Sequence, residues 1–101
     1  MKQITHRWCI YNLHPIFYRY AASENGRVVD IKGNLIEIKR GDDGYYFVNL
    51  EYGPQIHKYP IHQFVWECFN GIKPKNGVIE HINGNKKDNC THNLRLRKKD
   101  K

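Results

Sequence analysis

Between residues 60 and 69 the apolar positions repeat at helical spacing. Ile61, Phe64, Val65 and Cys68 stand at i, i+3, i+4 and i+7 and form one apolar stripe. Pro60 suits a first turn, where its missing N–H costs no bond, and Asn70-Gly71 supplies a stop. The spacing therefore predicts a helix over 60–69. Upstream, short runs are separated by turn-formers. Ser23-Glu24-Asn25-Gly26 precedes the β-branched run Arg27–Ile31, and Lys32-Gly33-Asn34 is a hairpin turn leading to Leu35–Lys39. Gly41-Asp42-Asp43-Gly44 turns into Tyr45–Leu50, and Tyr52-Gly53-Pro54 turns into Gln55–Tyr59. Alternation puts Tyr45, Phe47 and Asn49 on one face of their strand and Tyr46, Val48 and Leu50 on the other. An antiparallel meander of three or four short strands is expected over 20–59.

The first twenty residues carry Trp8, Tyr11, Phe17, Tyr18 and Tyr20 at irregular intervals, and Pro15 interrupts any helix. They are expected to form an irregular segment that packs its rings onto the sheet. After the helix, Lys73-Pro74-Lys75-Asn76-Gly77 reads as a basic turn. Two β-leaning runs follow, Gly77 to Ile79 and Leu94 to Arg97, joined by a polar loop with Asn83, Gly84, Asn85, Asp88 and Asn89. The expected class is α+β: a small antiparallel meander, one central helix, then a hairpin. Residues 1–59 and 60–101 would be two parts of one compact unit, since 101 residues suffice for a single modest core.

Charge changes the picture at one end. The chain carries +7, but residues 1–69 hold 8 Lys/Arg against 7 Asp/Glu, whereas residues 70–101 hold 9 against 3. The excess is Lys73, Lys75, Lys86, Lys87, Arg95, Arg97, Lys98, Lys99 and Lys101. A basic surface of this kind suits a polyanion such as nucleic acid. No apolar run reaches membrane-spanning length, and MKQITHRWC has no signal-peptide core, so a soluble, intracellular protein is expected. Three cysteines, Cys9, Cys68 and Cys90, include no CxxC pair and argue against a disulfide scaffold. A zinc site drawn from Cys90, His92 and another cysteine has no supporting spacing, so idle thiols are the expectation.

The chemistry concentrates where the basic residues do. Glu80 and His81 stand together at the end of a β-leaning run, and a paired acid and imidazole can bind a divalent metal and activate a water. Asn93 is expected to bond loop backbone through its amide, and Asp88 and Asn89 to stabilise the loop. His92 has no assigned role.

EHINGNKKDN..HNLRL resembles an HNH endonuclease motif, usually worded close to (D/E)HxxGNxxDNxxxNLxL. The segment ASENGRVVDIKG…DDGYYFVNL…YPIHQFVWECF is similar to the NUMOD4-like modular segment that precedes the motif in phage and intron-encoded homing endonucleases. The resemblance spans about residues 18–97. It implies a ββα-metal unit in which His81 is the general base, Glu80 a metal ligand and Asn93 the loop-fixing residue of the catalytic group. A last ligand should lie eight or nine residues beyond Asn93, on a closing helix, and no residue up to Lys101 evidently fills it. Water, Asp100 or a partner chain are the candidates. His62 falls at the family's "vHrlV" position, where a structural or phosphate-contacting role is expected.

The resemblance further implies one Mg²⁺ or Mn²⁺, DNA as the partner with RNA still open, and a monomer or weak dimer that nicks one strand. It would place the protein in the cytoplasm of a bacterial host, if phage-encoded. In that scheme Lys73, Lys75, Lys86, Lys87, Arg95, Arg97, Lys98 and Lys99 hold backbone phosphates, and the meander supplies groove contacts. A second reading keeps the fold and basic face but not the chemistry, as a nucleic-acid-binding or inhibitory module. A third, a truncated chain or gene fragment, is compatible with either.

Overall fold

The computed structural model describes residues 3–6 and 9–99. Trp8, Asp100 and Lys101 lie outside these residues, as do the side chains of residues 3–6, 9 and 10. Nine strands and one helix run in the order β1 (Gln3–His6), β2 (Cys9–Leu13), β3 (Tyr20–Ser23), β4 (Val28–Asp30), β5 (Lys39–Arg40), β6 (Tyr46–Tyr52), β7 (Gln55–Pro60), α1 (Ile61–Asn70), β8 (Gly77–His81) and β9 (Leu94–Lys98) among the described residues. They pair into three antiparallel sheets, β1-β2-β3-β4, β5-β6-β7 and β8-β9.

Two sequence expectations change. Residues 3–6 and 9–13 are regular rather than irregular: β1 and β2 pair as a hairpin, and β2 pairs in turn with β3. Their aromatic spacing hid this, because cross-strand pairing satisfies the backbone whatever the side-chain order. The meander is also split. Of the run Leu35–Lys39, only Lys39 enters a strand, β5, while Leu35 makes an isolated bridge to Val29 and the Ile36 N–H donates to the Val28 carbonyl. Leu35 and Ile38 are exposed, and Ile36 is the residue of this run that packs against the core.

Helix α1 follows its predicted stripe. Ile61, Phe64, Val65 and Cys68 are all fully buried. Pro60 ends β7 and caps the helix in an extended conformation, one position earlier than expected. Gly71, at φ 91°, ends it with its N–H on the Glu67 carbonyl. The stripe joins one core with Tyr20, Ala22 and Val28 of the first sheet, Val48 and Leu50 of the second, and Ile79 and Leu94 of the terminal hairpin. All three sheets thus contribute to the core around α1, while Tyr11, Ala21 and Val29 form a second, smaller cluster on the first sheet.

One further residue is buried on α1. Glu67, 1 % exposed, lies beside the stripe and accepts hydrogen bonds from His14 Nε2 at 2.8 Å, Tyr59 Oη at 2.5 Å and the Lys73 amide at 2.9 Å. His14 Nδ1 in turn accepts from the Ile16 and Phe17 amides, so Nε2 carries the ring proton. Burial works to raise the Glu67 pKa, but these donors outweigh it and hold the carboxyl below its usual range. Burial, and then the Glu67 carboxylate, push the Tyr59 hydroxyl up. No helix among the described residues is long and apolar enough to cross a membrane.

Candidate active site on the terminal hairpin

Strand β8 pairs with β9 so that Glu80 lies opposite Arg95 and His81 opposite Leu94. Pleating then sends Glu80 and His81 to opposite faces of the hairpin. On one face the Glu80 carboxylate accepts from Arg95 Nε at 2.6 Å and from Arg97 Nε at 3.0 Å. The Arg95 and then the Arg97 guanidinium hold its pKa below the ordinary glutamate range.

On the other face His81 Nε2 lies 2.7 Å from Asn89 Oδ1. A carboxamide oxygen only accepts, so Nε2 carries the proton and Nδ1 keeps its lone pair. The Asn89 amide nitrogen faces the Lys86 carbonyl at 3.4 Å, which fits that orientation. The imidazole also sits in an aromatic group that sequence reasoning missed. Its ring centroid is 5.0 Å from His62 and 5.9 Å from Tyr45, and His62 and Tyr45 are 5.1 Å apart. Lys86 Nζ stands 4.2 Å over the Tyr45 ring and donates to the Asp43 carbonyl.

His62 is therefore a neighbour of the candidate base. Burial, and then the nearby His81, lower its pKa to about 4, so it is neutral at neutral pH. An unfolded chain binds this proton near pH 6.5, the folded chain only near pH 4. Nothing is lost above pH 6.5. As pH falls through that window the unfolded state gains, by up to roughly 3 kcal/mol. Urea unfolding at pH 7 and about pH 4.5 should show this slope, and His62→Gln should flatten it. An unchanged slope in the variant would remove His62 as the cause.

The loop is braced as expected, and by Asn93 above all. Buried Asn93 accepts from the Asn83 amide through Oδ1 at 3.0 Å and donates through Nδ2 to Asn83 Oδ1 and the Asp88 carbonyl. Asn93 thus ties both arms of the loop, near His81 but without a contact to its ring. Asp88 receives the Asn83 side chain and the Cys90 amide. The loop is also anchored from outside, by the Thr91 amide on the Glu24 carbonyl at 2.8 Å. At the adjoining turn Gly26 has φ 86°, and a Cβ there would lie 2.9 Å from the Asn89 carbonyl oxygen. Gly26→Ala should cost about 1–3 kcal/mol from the backbone conformation and that collision. A denaturation midpoint equal to the parent's would show that the turn can yield.

The basic residues divide into three groups. Lys73 Nζ donates to the Pro74 and Gly77 carbonyls and Lys86 Nζ to the Asp43 carbonyl, so these two ammoniums are engaged with backbone. Arg95 and Arg97 stay more than half exposed while engaging Glu80. Lys75, Lys87, Lys98 and Lys99 are exposed.

A hard divalent ion is commonly held by one or two carboxylates together with phosphate oxygens and water. Glu80, partly exposed, can serve as one such ligand if it gives up a guanidinium. Among the described residues Glu80 belongs to no cluster of three or more metal-ligating side chains. The donor set thus fits a shared site completed by phosphate, not a closed cage.

Residues 59–101 match the family model described as HNH endonuclease. No curated protein matches the chain. Among solved structures, that described as "DNA binding and cleavage by the HNH homing endonuclease I-HmuI" is similar at 27 % identity and a TM-score of 0.78. The match covers 87 % of this chain and 52 % of that one, so the chain spans about half its length. The HNH endonuclease motif is thus matched over the helix and terminal hairpin, and the fold of most of the chain is shared with an HNH homing endonuclease.

Proposed function

We propose that this protein binds DNA and hydrolyses a phosphodiester bond, nicking one strand per active site. The observation that carries the reading is the His81 imidazole, whose proton is fixed on Nε2 by Asn89 while Nδ1 is left to act as a base. Nδ1 takes a proton from water, the oxygen attacks phosphorus in line, and the 3′-oxygen leaves. Asn89 and the rings of Tyr45 and His62 fix the imidazole plane. A neutral His62 adds no repulsion as His81 becomes positive. Asn93 holds the loop that positions Asn89.

Glu80 is the proposed ligand of a divalent ion, Mg²⁺ or Mn²⁺, which when bound neutralises charge developing on phosphorus and the leaving oxygen. Arg95 and Arg97 are released from Glu80 toward phosphate as that happens. Lys75, Lys87, Lys98 and Lys99 extend the phosphate contacts, giving affinity without sequence readout. The similar structure concerns DNA binding and cleavage, which supports DNA as the substrate. Such a protein would act in the cytoplasm of a bacterial cell.

A supercoiled-plasmid assay tests the reading. Open-circle product that requires Mg²⁺ or Mn²⁺ and disappears with EDTA is expected. One observation favours a second reading: both Glu80 oxygens are already held by guanidiniums, as in a stable surface pairing. A chain that retards DNA at low salt but never relaxes the plasmid would be a binding module that keeps the motif as scaffold. In both cases affinity should fall steeply with salt, since phosphate contacts release counterions.

A further inference from the structure

The loop between β8 and β9 gathers three side chains that the proposed reaction does not use. A carboxylate oxygen of Asp88, Sγ of Cys90 and a ring nitrogen of His92 all lie within 4.8 Å of one another. Among the described residues no other three such side chains meet this closely. Their order along the chain, Asp-x-Cys-x-His, matches no paired zinc pattern. His92 lies within the 3₁₀ turn Thr91–Asn93 that follows Cys90 directly. Asn93 takes the turn's closing bond through its amide to the Cys90 carbonyl, and its side chain holds the Asp88 carbonyl. The donors thus sit on a braced backbone, with Asp88 and Cys90 half-buried and His92 exposed.

The donor chemistry selects the ion. Carboxylate, thiolate and imidazole together suit Zn²⁺, which takes O, S and N ligands tetrahedrally. Mg²⁺ and Ca²⁺ demand oxygen and do not take a thiolate. Around a tetrahedral Zn²⁺ with bonds of about 2.0–2.3 Å, ligand atoms lie roughly 3.4–3.8 Å apart. The 4.8 Å spread exceeds this by roughly 1.0–1.4 Å at most, within reach of a rotamer change at exposed His92.

We propose that Asp88, Cys90 and His92 form a zinc-class metal site, distinct from Glu80 and His81, that staples the hairpin loop. Binding forms the sulfur–metal bond as the Cys90 thiol proton passes to solvent, and neutral His92 binds through its free nitrogen. The loop carries Asn89, whose carboxamide holds His81 and whose backbone abuts Gly26. Occupancy therefore fixes the residue that orients the candidate base. The site does not depend on whether DNA is cleaved.

The test is titration of the reduced, metal-free full chain with Co²⁺ as the spectroscopic probe and Zn²⁺ as competitor. A thiolate-to-cobalt charge-transfer band is expected, saturating at a single equivalent, erased by Zn²⁺ and indifferent to excess Mg²⁺. Cys90→Ser should abolish the band, and His92→Ala should weaken Zn²⁺ binding about tenfold or more. Glu80→Ala and His81→Ala should leave both unchanged, which separates this site from the nuclease reading. Absence of the band in the parent overturns the proposal, as does a band that survives Cys90→Ser and so belongs to Cys9 or Cys68. Unaltered Zn²⁺ affinity in His92→Ala, whose exposed side chain can be removed without harm to the fold, overturns it too.

Discussion

Replacing His81 with alanine should lower the rate of plasmid nicking about 10²–10⁴-fold, the usual contribution of a positioned general base. DNA affinity should barely change, because the imidazole acts only in the chemical step. The reasoning rests on geometry. Nε2 is committed to Asn89, so Nδ1 is the nitrogen that can receive a proton. The exposed lysines that would hold phosphate are separate side chains. Gel retardation and open-circle formation should be measured on one preparation. If both fall together, His81 is a structural residue whose loss disturbs Tyr45, His62 and the loop.

Glu67→Ala should be the most destabilising single change, at about 3–5 kcal/mol. It removes the acceptor shared by His14 Nε2, Tyr59 Oη and the Lys73 amide, all within 2.9 Å of Glu67. Each becomes a buried or half-buried donor without a partner, and the side chain leaves a void beside Phe64, which stacks on His14 at 4.7 Å. A domain of this size has only about 5–15 kcal/mol in total, so much of the chain would be unfolded at modest urea. Glu67→Gln keeps the shape and one acceptor oxygen and should cost less. A loss below about 1 kcal/mol in the alanine variant would mean that water replaces the carboxylate.

The two residues behind these predictions differ in how readable they were. His81 stood out because its neighbours in sequence are also its context: a strand, a turn-rich loop and Asn93 closing it. Helix α1 was legible for the same reason, its periodicity being local. Glu67 was not, because a glutamate beside an apolar stripe reads as a solvated flank until His14, 53 positions away, is placed against it. From sequence Tyr45 reads as a strand residue and His62 as a helix residue with a structural or phosphate-contacting role. Their meeting at His81 depends on how β6 and α1 pack with the hairpin. The pairing of Glu80 with Arg95 and Arg97 was within reach, since antiparallel pairing from the loop outward sets Glu80 against Arg95. The meeting of Cys90 and His92 with Asp88 was not legible from spacing, because it depends on how the loop folds.

The pairing of β8 with β9 has a consequence beyond placing side chains. Successive residues of a strand point to opposite sides, so sliding β8 by one position would exchange His81 and Glu80. The imidazole would then meet the guanidiniums of Arg95 and Arg97, and the carboxylate would enter the aromatic group of Tyr45 and His62. Backbone hydrogen bonding alone opposes such a slip weakly, because the ladder re-forms one step along. The side chain of Asn93 opposes it strongly, since its bonds to Asn83 and Asp88 exist at one loop length only. Changes at Asn93 would then act less by unfolding the hairpin than by letting it sample a second, folded and chemically mismatched alignment.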